Sequence, residues 1–214
     1  CLSAGDKVAS IQRSLMVVGP PVLPLFQGVE PSMTQRDKAE FFRSLHQAGD
    51  PLVLYNIWDA GGARVLSEAG AKAVATGSWS VAAAQGYADG EAIPLDFVLR
   101  IAERIAATTE LPLTLDFEGG YAIDPAKLEA NARQVIRSGA VGINFEDRIV
   151  GGKGLHPVDR QAARIGAIRE GAREEDMPLF INARTDLFLG SDPAGHEDAV
   201  AEAIERAAAY AAAG

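Results

Sequence analysis

The sequence has 214 residues, and 20 Lys and Arg stand against 29 Asp and Glu, a formal net charge of −9. That balance argues against a nucleic-acid binder and suits a self-repelling surface. Hydrophobic residues at 48% and charged residues at 23% exclude a disordered chain, and the single cysteine, Cys1, allows no disulfide within it, which points to a reducing, cytoplasmic setting.

In chain order, the apolar stretch from Ser14 to Phe26 is broken by Pro20, Pro21 and Pro24. It is neither a membrane span, which needs about 20 apolar residues, nor a signal peptide, since it lacks a basic flank and a small-residue cleavage site. Residues 1–32 show little periodicity and read as an extension outside the core. The texture changes at Met33, where a catalytic domain over 33–214 is expected to begin. Thr34 and Asp37 form a capping-box pattern that predicts a helix over 35–48.

From Gly49 the chain alternates. Short runs rich in apolar residues predict strands at Leu52–Ile57, Ala73–Thr76, Leu113–Phe117, Val141–Phe145 and Leu179–Asn182. Helical patterns follow at 60–69, 94–108, 125–138, 158–173 and 196–213. Such alternation means a parallel sheet covered on both faces. Gly70 and Gly139 each follow a helical pattern and suit the left-handed stop that turns the chain into the next strand.

The polar residues gather where strands give way to loops. The tips read Asn56-Ile-Trp58-Asp59, Gly77-Ser78-Trp79-Ser80, Asp116-Phe-Glu118, Asn144-Phe-Glu146-Asp147-Arg148 and Asn182-Ala-Arg184-Thr-Asp186. In parallel α/β folds ligands bind at the carboxyl ends of strands, so five such tips predict one shared site. Asp116, Glu118 and Glu146 are the expected metal ligands, because hard oxygen donors suit Mg²⁺. The alternative is a carboxylate cluster bridged to Arg148 or Arg184 without metal. Trp58, Gly77, Ser78, Trp79, Asn182 and Arg184 are the expected substrate-binding set, with Arg184 offering a planar fork to a carboxylate. The stretch Gly151-Gly152-Lys153-Gly154 suits a gate. Lys153 and His156 on it are candidate proton donors, with Arg184 and Asp89 completing the catalytic set. His46 and His196 read as surface or structural residues.

These ordered tips, together with Gly86-Tyr-Ala-Asp89-Gly, resemble the isocitrate lyase/phosphoenolpyruvate mutase superfamily over about residues 35–214. The resemblance implies a (β/α)8 TIM barrel, Mg²⁺ dependence, a homo-oligomer and a small 2-oxo acid or dicarboxylate as partner. It implies carbon–carbon cleavage through an enolate-like intermediate, with phosphorylmutase or phosphonopyruvate hydrolase chemistry at a carbon–phosphorus bond as the alternative. A non-catalytic 2-oxo acid binding protein is the second alternative. Within the resemblance, Asp116 matches the direct metal carboxylate, Glu118 the second acid of an Asp-x-Asp motif, and Glu146 the acid that holds metal-bound water. Ser78 and Trp79 match the segment gripping the oxo-acid carboxylate, Asp89 the gating aspartate, and Arg184 the arginine near the substrate. Lyases of this superfamily carry a Lys-x-Cys-Gly-His loop with a catalytic thiol. Here Gly154 stands at the Cys position.

A barrel of this kind typically takes about 250 residues, and five strand–helix units are legible. The expectation is therefore a barrel truncated after its fifth unit, with an exposed edge strand.

Overall fold

The computed structural model describes residues 33–189 and 195–214. The expected extension over 1–32, with Cys1, lies outside the described residues.

The first helix, α1 (Gln35–Ser44), starts as its sequence dictates. The Asp37 N–H donates to the Thr34 hydroxyl at 3.1 Å, and the Thr34 N–H donates to the Asp37 carboxylate at 2.9 Å. It ends at Ser44, not at residue 48, because Gln47 and Asp50 close an antiparallel bridge with Gly49 at φ +83°. Its inner face presents Phe42, which meets Phe180 edge-on at 5.4 Å between ring centroids. His46 stacks on the same Phe180 ring at 4.0 Å, a structural role.

Five β/α units follow. The strands are β1 (Asn56–Ile57), β2 (Val74–Thr76), β3 (Leu113–Asp116), β4 (Gly142–Glu146) and β5 (Phe180–Arg184). They pair in parallel, in the order β1-β2-β3-β4-β5. The helices are α2 (Ala60–Glu68), α3 (Ser78–Ala84), α4 (Leu95–Ala106), α5 (Pro125–Arg137), α6 (Val158–Glu174) and α7 (His196–Ala213). Every connection is a β-to-α crossover, the arrangement of five consecutive units of a (β/α)8 barrel. Among the described residues β1 and β5 form the sheet's two edges.

Strand β1 is shorter than its apolar run. β2 begins at Val74, so most of residues 52–55 find no partner beside them. Their alternation still holds: Val53 and Tyr55 are exposed, while Leu52 and Leu54 pack against the Phe42 cluster.

Gly70 and Gly139 adopt the expected left-handed stop, at φ +85° and +95°. A Cβ at Gly139 would lie 2.6 Å from the Ala106 side chain, so this turn also sets how closely α4 and α5 approach. The core lies between sheet and helices, around Leu113, Leu115, Ile143, Phe145, Leu128 and Ile168, all buried. Burial of such side chains contributes roughly 1.5–3 kcal/mol each before conformational entropy is set against it. No described helix is long and apolar enough to cross a membrane.

Candidate active site

Parallel register decides which side chains meet. Asp116 lies beside Asn144, and Asn144 beside Asn182, so the three share one face across β3, β4 and β5. They form a directed chain: the Asn182 amide donates to Asn144 Oδ1 at 2.7 Å, and the Asn144 amide donates to Asp116 Oδ1 at 3.2 Å. The other Asp116 oxygen accepts the Ser78 N–H at 2.9 Å. That N–H comes from the first turn of α3. From sequence alone this stretch is expected to be a loop, because Gly-Ser-Trp-Ser carries no helical pattern of its own.

Glu118 sits two residues past the end of β3, at φ +51°, and is 5% exposed. It accepts the Glu91 N–H at 2.9 Å and the Tyr121 hydroxyl at 3.3 Å. The Glu91 carboxylate in turn accepts the Tyr121 N–H at 2.8 Å, which ties the segment after Asp89 to the β3 tip. Gly119 lies between these loops. A Cβ there would come within 2.8 Å of Val150 Cγ2 and 3.0 Å of the Glu91 carboxylate.

Glu146, at the tip of β4, forms an ion pair with Arg184. The Arg184 fork also donates to Asp186, at 2.7 and 3.1 Å. Arg184 therefore spends most of its donors inside the protein.

Asp116, Glu118, Glu146 and Arg184 line one mouth of about 730 Å³ together with Asn56, Gly77, Ser78, Trp79, Ser80 and Asp89. Burial pushes the Glu118 carboxyl up to about 7, and the nearby Asp89, Asp116 and Glu91 carboxylates add to the shift. Burial likewise raises Glu146 to about 7; Arg184 opposes the rise, and Asp186, Asp116 and Glu118 reinforce it. Raised acids crowded in a concave mouth mark a functional-site candidate.

Among the described residues no three His, Cys, Asp or Glu side chains close into a metal cage. The donor set still fits a hard divalent cation. All three acids offer oxygen to one hollow, they repel one another there, and Mg²⁺ uses one or two direct carboxylates and keeps several waters.

The comparisons with known proteins agree with this geometry. A family model described as phosphoenolpyruvate phosphomutase matches residues 42–214. The chain belongs to this family, within the isocitrate lyase/phosphoenolpyruvate mutase superfamily. A crystal structure from Burkholderia cenocepacia described as a "putative phosphonomutase" superposes with a TM-score of 0.82 at 46% identity, covering 85% of this chain and 72% of that one. A second structure from that organism, described as a "putative lyase/mutase", gives 0.72 at 32% identity, covering 84% and 63%. An uncharacterized protein of Mycobacterium tuberculosis is 31% identical over 147 residues, 69% of this chain and 53% of its own length. The chain spans about half the length of the curated relatives it matches.

Other expected site residues of this phosphomutase-family chain are placed elsewhere. Trp58 is exposed just beyond β1, and Asn56 lines the mouth instead. Asn182 lines a hollow of about 400 Å³ behind Asp116 and acts on the mouth through the amide chain. Lys153 lines a hollow of about 630 Å³ beside Asp186 and Leu187. His156 is 5% exposed and lines a separate cavity of about 160 Å³ with Arg164 and Glu91. Burial, followed by the Arg164 and Arg160 charges, lowers its pKa to about 4, so at neutral pH the ring is uncharged. Its backbone N–H donates to the Asp147 carbonyl at 2.8 Å, which closes the base of the loop over residues 148–155.

Asp147 is a supporting residue that its sequence context does not single out. It is fully buried: one oxygen accepts the Asp186 N–H at 2.9 Å, the other accepts Tyr210 at 2.8 Å and Arg206 at 3.2 Å. Arg206 and Tyr210 sit four apart on α7 and face the sheet together. Their spacing, an arginine and a tyrosine in an alanine-rich helix, was the available signal.

Proposed function

We propose that this chain carries the site of an Mg²⁺-dependent enzyme acting on a small 2-oxo acid, built on the barrel of residues 33–214, and that its chemistry is at a carbon–phosphorus bond. The observation behind this reading is the mouth, where Asp116, Glu118 and Glu146 converge with Arg184. Mg²⁺, when bound, supplies electrostatic stabilisation to a developing enolate oxygen.

Asp116 is oriented from two sides, by Ser78 and by the Asn144 amide. Glu118 and Glu146 stand across from it, and Ser78 and Trp79 line the wall where the 2-oxo acid's carboxylate would lie. In the reaction the P–C bond of phosphonopyruvate breaks and its electron pair passes into the enolate of pyruvate. The phosphoryl group goes to the enolate oxygen in a mutase, or to water in a hydrolase. The gate over residues 149–154 would keep bulk water from the enolate.

The matched family's description and the 46% identical structure both favour P–C chemistry. Gly154, standing where the resemblance puts the lyase thiol, adds to this, since a glycine has no proton to give. Carbon–carbon cleavage is the second reading and uses the same enolate; the structure described as a "putative lyase/mutase" keeps it in view.

The test is phosphorus NMR of phosphonopyruvate with the protein and Mg²⁺. A new phosphate-ester or inorganic phosphate signal, lost in Asp116→Ala, is the expected result. A silent phosphorus spectrum with release of a 2-oxo acid from malate-type substrates would shift the assignment to a lyase. Tight binding without turnover of either would leave a binding protein.

A further inference from the structure

Behind their side chains, two of the crowded acids are joined by a closed ring of hydrogen bonds. The Glu146 N–H donates to the Glu118 carbonyl at 2.9 Å. The Glu146 carbonyl accepts the Gln161 side-chain amide at 3.0 Å. The Gln161 amide oxygen accepts one nitrogen of the Arg164 guanidinium. A second nitrogen donates to the carbonyl of Gly119, the residue after Glu118, and to that of Ala122 at 3.3 Å. Gln161 and Arg164 stand three apart on α6 and so share a face.

The ring is buried and contains a charge. Gln161 is fully buried and Arg164 is 2% exposed. Among the described residues Arg164 forms no ion pair. Its hydrogen bonds go to neutral oxygens, its Nε has no partner, and its guanidinium lies over the Phe145 ring at 4.9 Å. A buried cation without a counter-ion is a costly way to fill a core, and an apolar side chain of similar size would fill the space with less desolvation. What an apolar side chain lacks is a planar fork that reaches acceptors on two elements. Here the fork ties the loop after β3, through Gly119, to the tip of β4, through Gln161. Glu118 needs such a tie. At φ +51° it holds a left-handed backbone that a non-glycine residue keeps only where its surroundings impose it.

We propose that Arg164, acting through Gln161, is a positioning residue that holds the Glu118 and Glu146 carboxylates at the separation needed to share one divalent cation. The inference rests on the metal site of the function proposed above and deepens it. Neither Gln161 nor Arg164 lines the mouth, so the effect passes through the backbones of the two acids. Groups that orient metal ligands in this way tune affinity without touching the ion.

The experiment is calorimetric titration of Mg²⁺ alone into wild type, Gln161→Glu, Arg164→Lys and Arg164→Met, each well below its melting transition. Melting temperatures are recorded in parallel without metal. Gln161→Glu is the decisive variant. It gives Arg164 a carboxylate, which supports the fold, but it cannot donate to the Glu146 carbonyl, so the ring opens. Its added negative charge would by itself attract Mg²⁺. The expected result is nonetheless a loss of about tenfold or more in Mg²⁺ affinity, the usual effect of removing a group that orients a metal ligand. Arg164→Lys keeps the charge without the fork and should lose less than Arg164→Met. A purely structural ring would lower melting temperatures and leave the Mg²⁺ affinity of the folded protein as it was. Unchanged or tighter Mg²⁺ binding by folded Gln161→Glu would therefore overturn the proposal. Failure of wild type to bind Mg²⁺ would instead overturn the proposed metal site and the inference with it.

Discussion

Glu146 and Asp147 are neighbours in sequence and live in opposite electrostatic worlds. Asp147 is fully buried and answered on both oxygens, by Asp186, Tyr210 and Arg206. Glu146 is nearly as buried, yet it has only Arg184, and burial, reinforced by Asp186 and Asp116, pushes its pKa up to about 7. The strand alternates its side chains, so Glu146 points to the mouth and Asp147 toward α7. An acid that is answered holds a fold together. An acid left crowded by its own kind is held ready for something that is not part of the chain.

The largest expected effect comes from breaking the answered side. Asp147→Ala removes the acceptor of the Asp186 N–H and of the Tyr210 hydroxyl and leaves the buried Arg206 with Glu202 as its remaining counter-charge. It should cost about 3 kcal/mol or more, as for other buried pairs that lose one partner. Urea denaturation measures this, and a loss below about 1 kcal/mol would erase the contrast between the two acids.

The crowded side predicts the reverse. Glu118 and Glu146 hold their protons up to about pH 7 in the folded chain, against 4.5 for the ordinary group. The folded state thus binds more protons than the unfolded state between those values, and stability falls as pH rises through that window. Glu118→Gln should raise the melting temperature near pH 7.5, by roughly 2–4 °C if the relief is about 1 kcal/mol. The same change should remove most of the stabilisation that Mg²⁺ gives. A wild-type melting temperature that is flat from pH 5 to 7.5 would contradict this.

The smallest effect concerns His156, whose folded pKa is lowered to about 4 from 6.5. The stability it contributes is present above pH 6.5 and is lost as pH falls toward 4, because the unfolded state takes up the proton first. His156→Gln should flatten that acidic limb and leave the Mg²⁺ response near neutral pH unchanged. Thermal melts from pH 4 to 7 decide it.

Much of this was legible because it is written in local chemistry. The strand–helix beat, the Thr34–Asp37 cap and the stops at Gly70 and Gly139 each need only a few adjacent residues. The tips of β3 and β4 announce themselves, since three carboxylates at strand ends have few structural uses. The parts that were not legible depend on distance across the fold. β1 is short because β2 begins late, which no property of Leu52–Ile57 reveals. The first turn of α3 is helical because it closes on Asp116, 38 residues away. Lys153 and His156 share a loop with Arg148, but only the hairpin's path shows that Arg148 faces the mouth while His156 lies in a cavity behind it.

Gly119 ties together two properties that could have been separate. The absence of one methyl group there lets Val150 come down beside the carboxylate of Glu91. That same Glu91 donates its N–H to Glu118 and adds its charge to the burial that raises the Glu118 pKa. One hydrogen in place of a side chain therefore governs both how closely the loop approaches and how crowded the acids behind it are, and no substitution there could alter the first without disturbing the second.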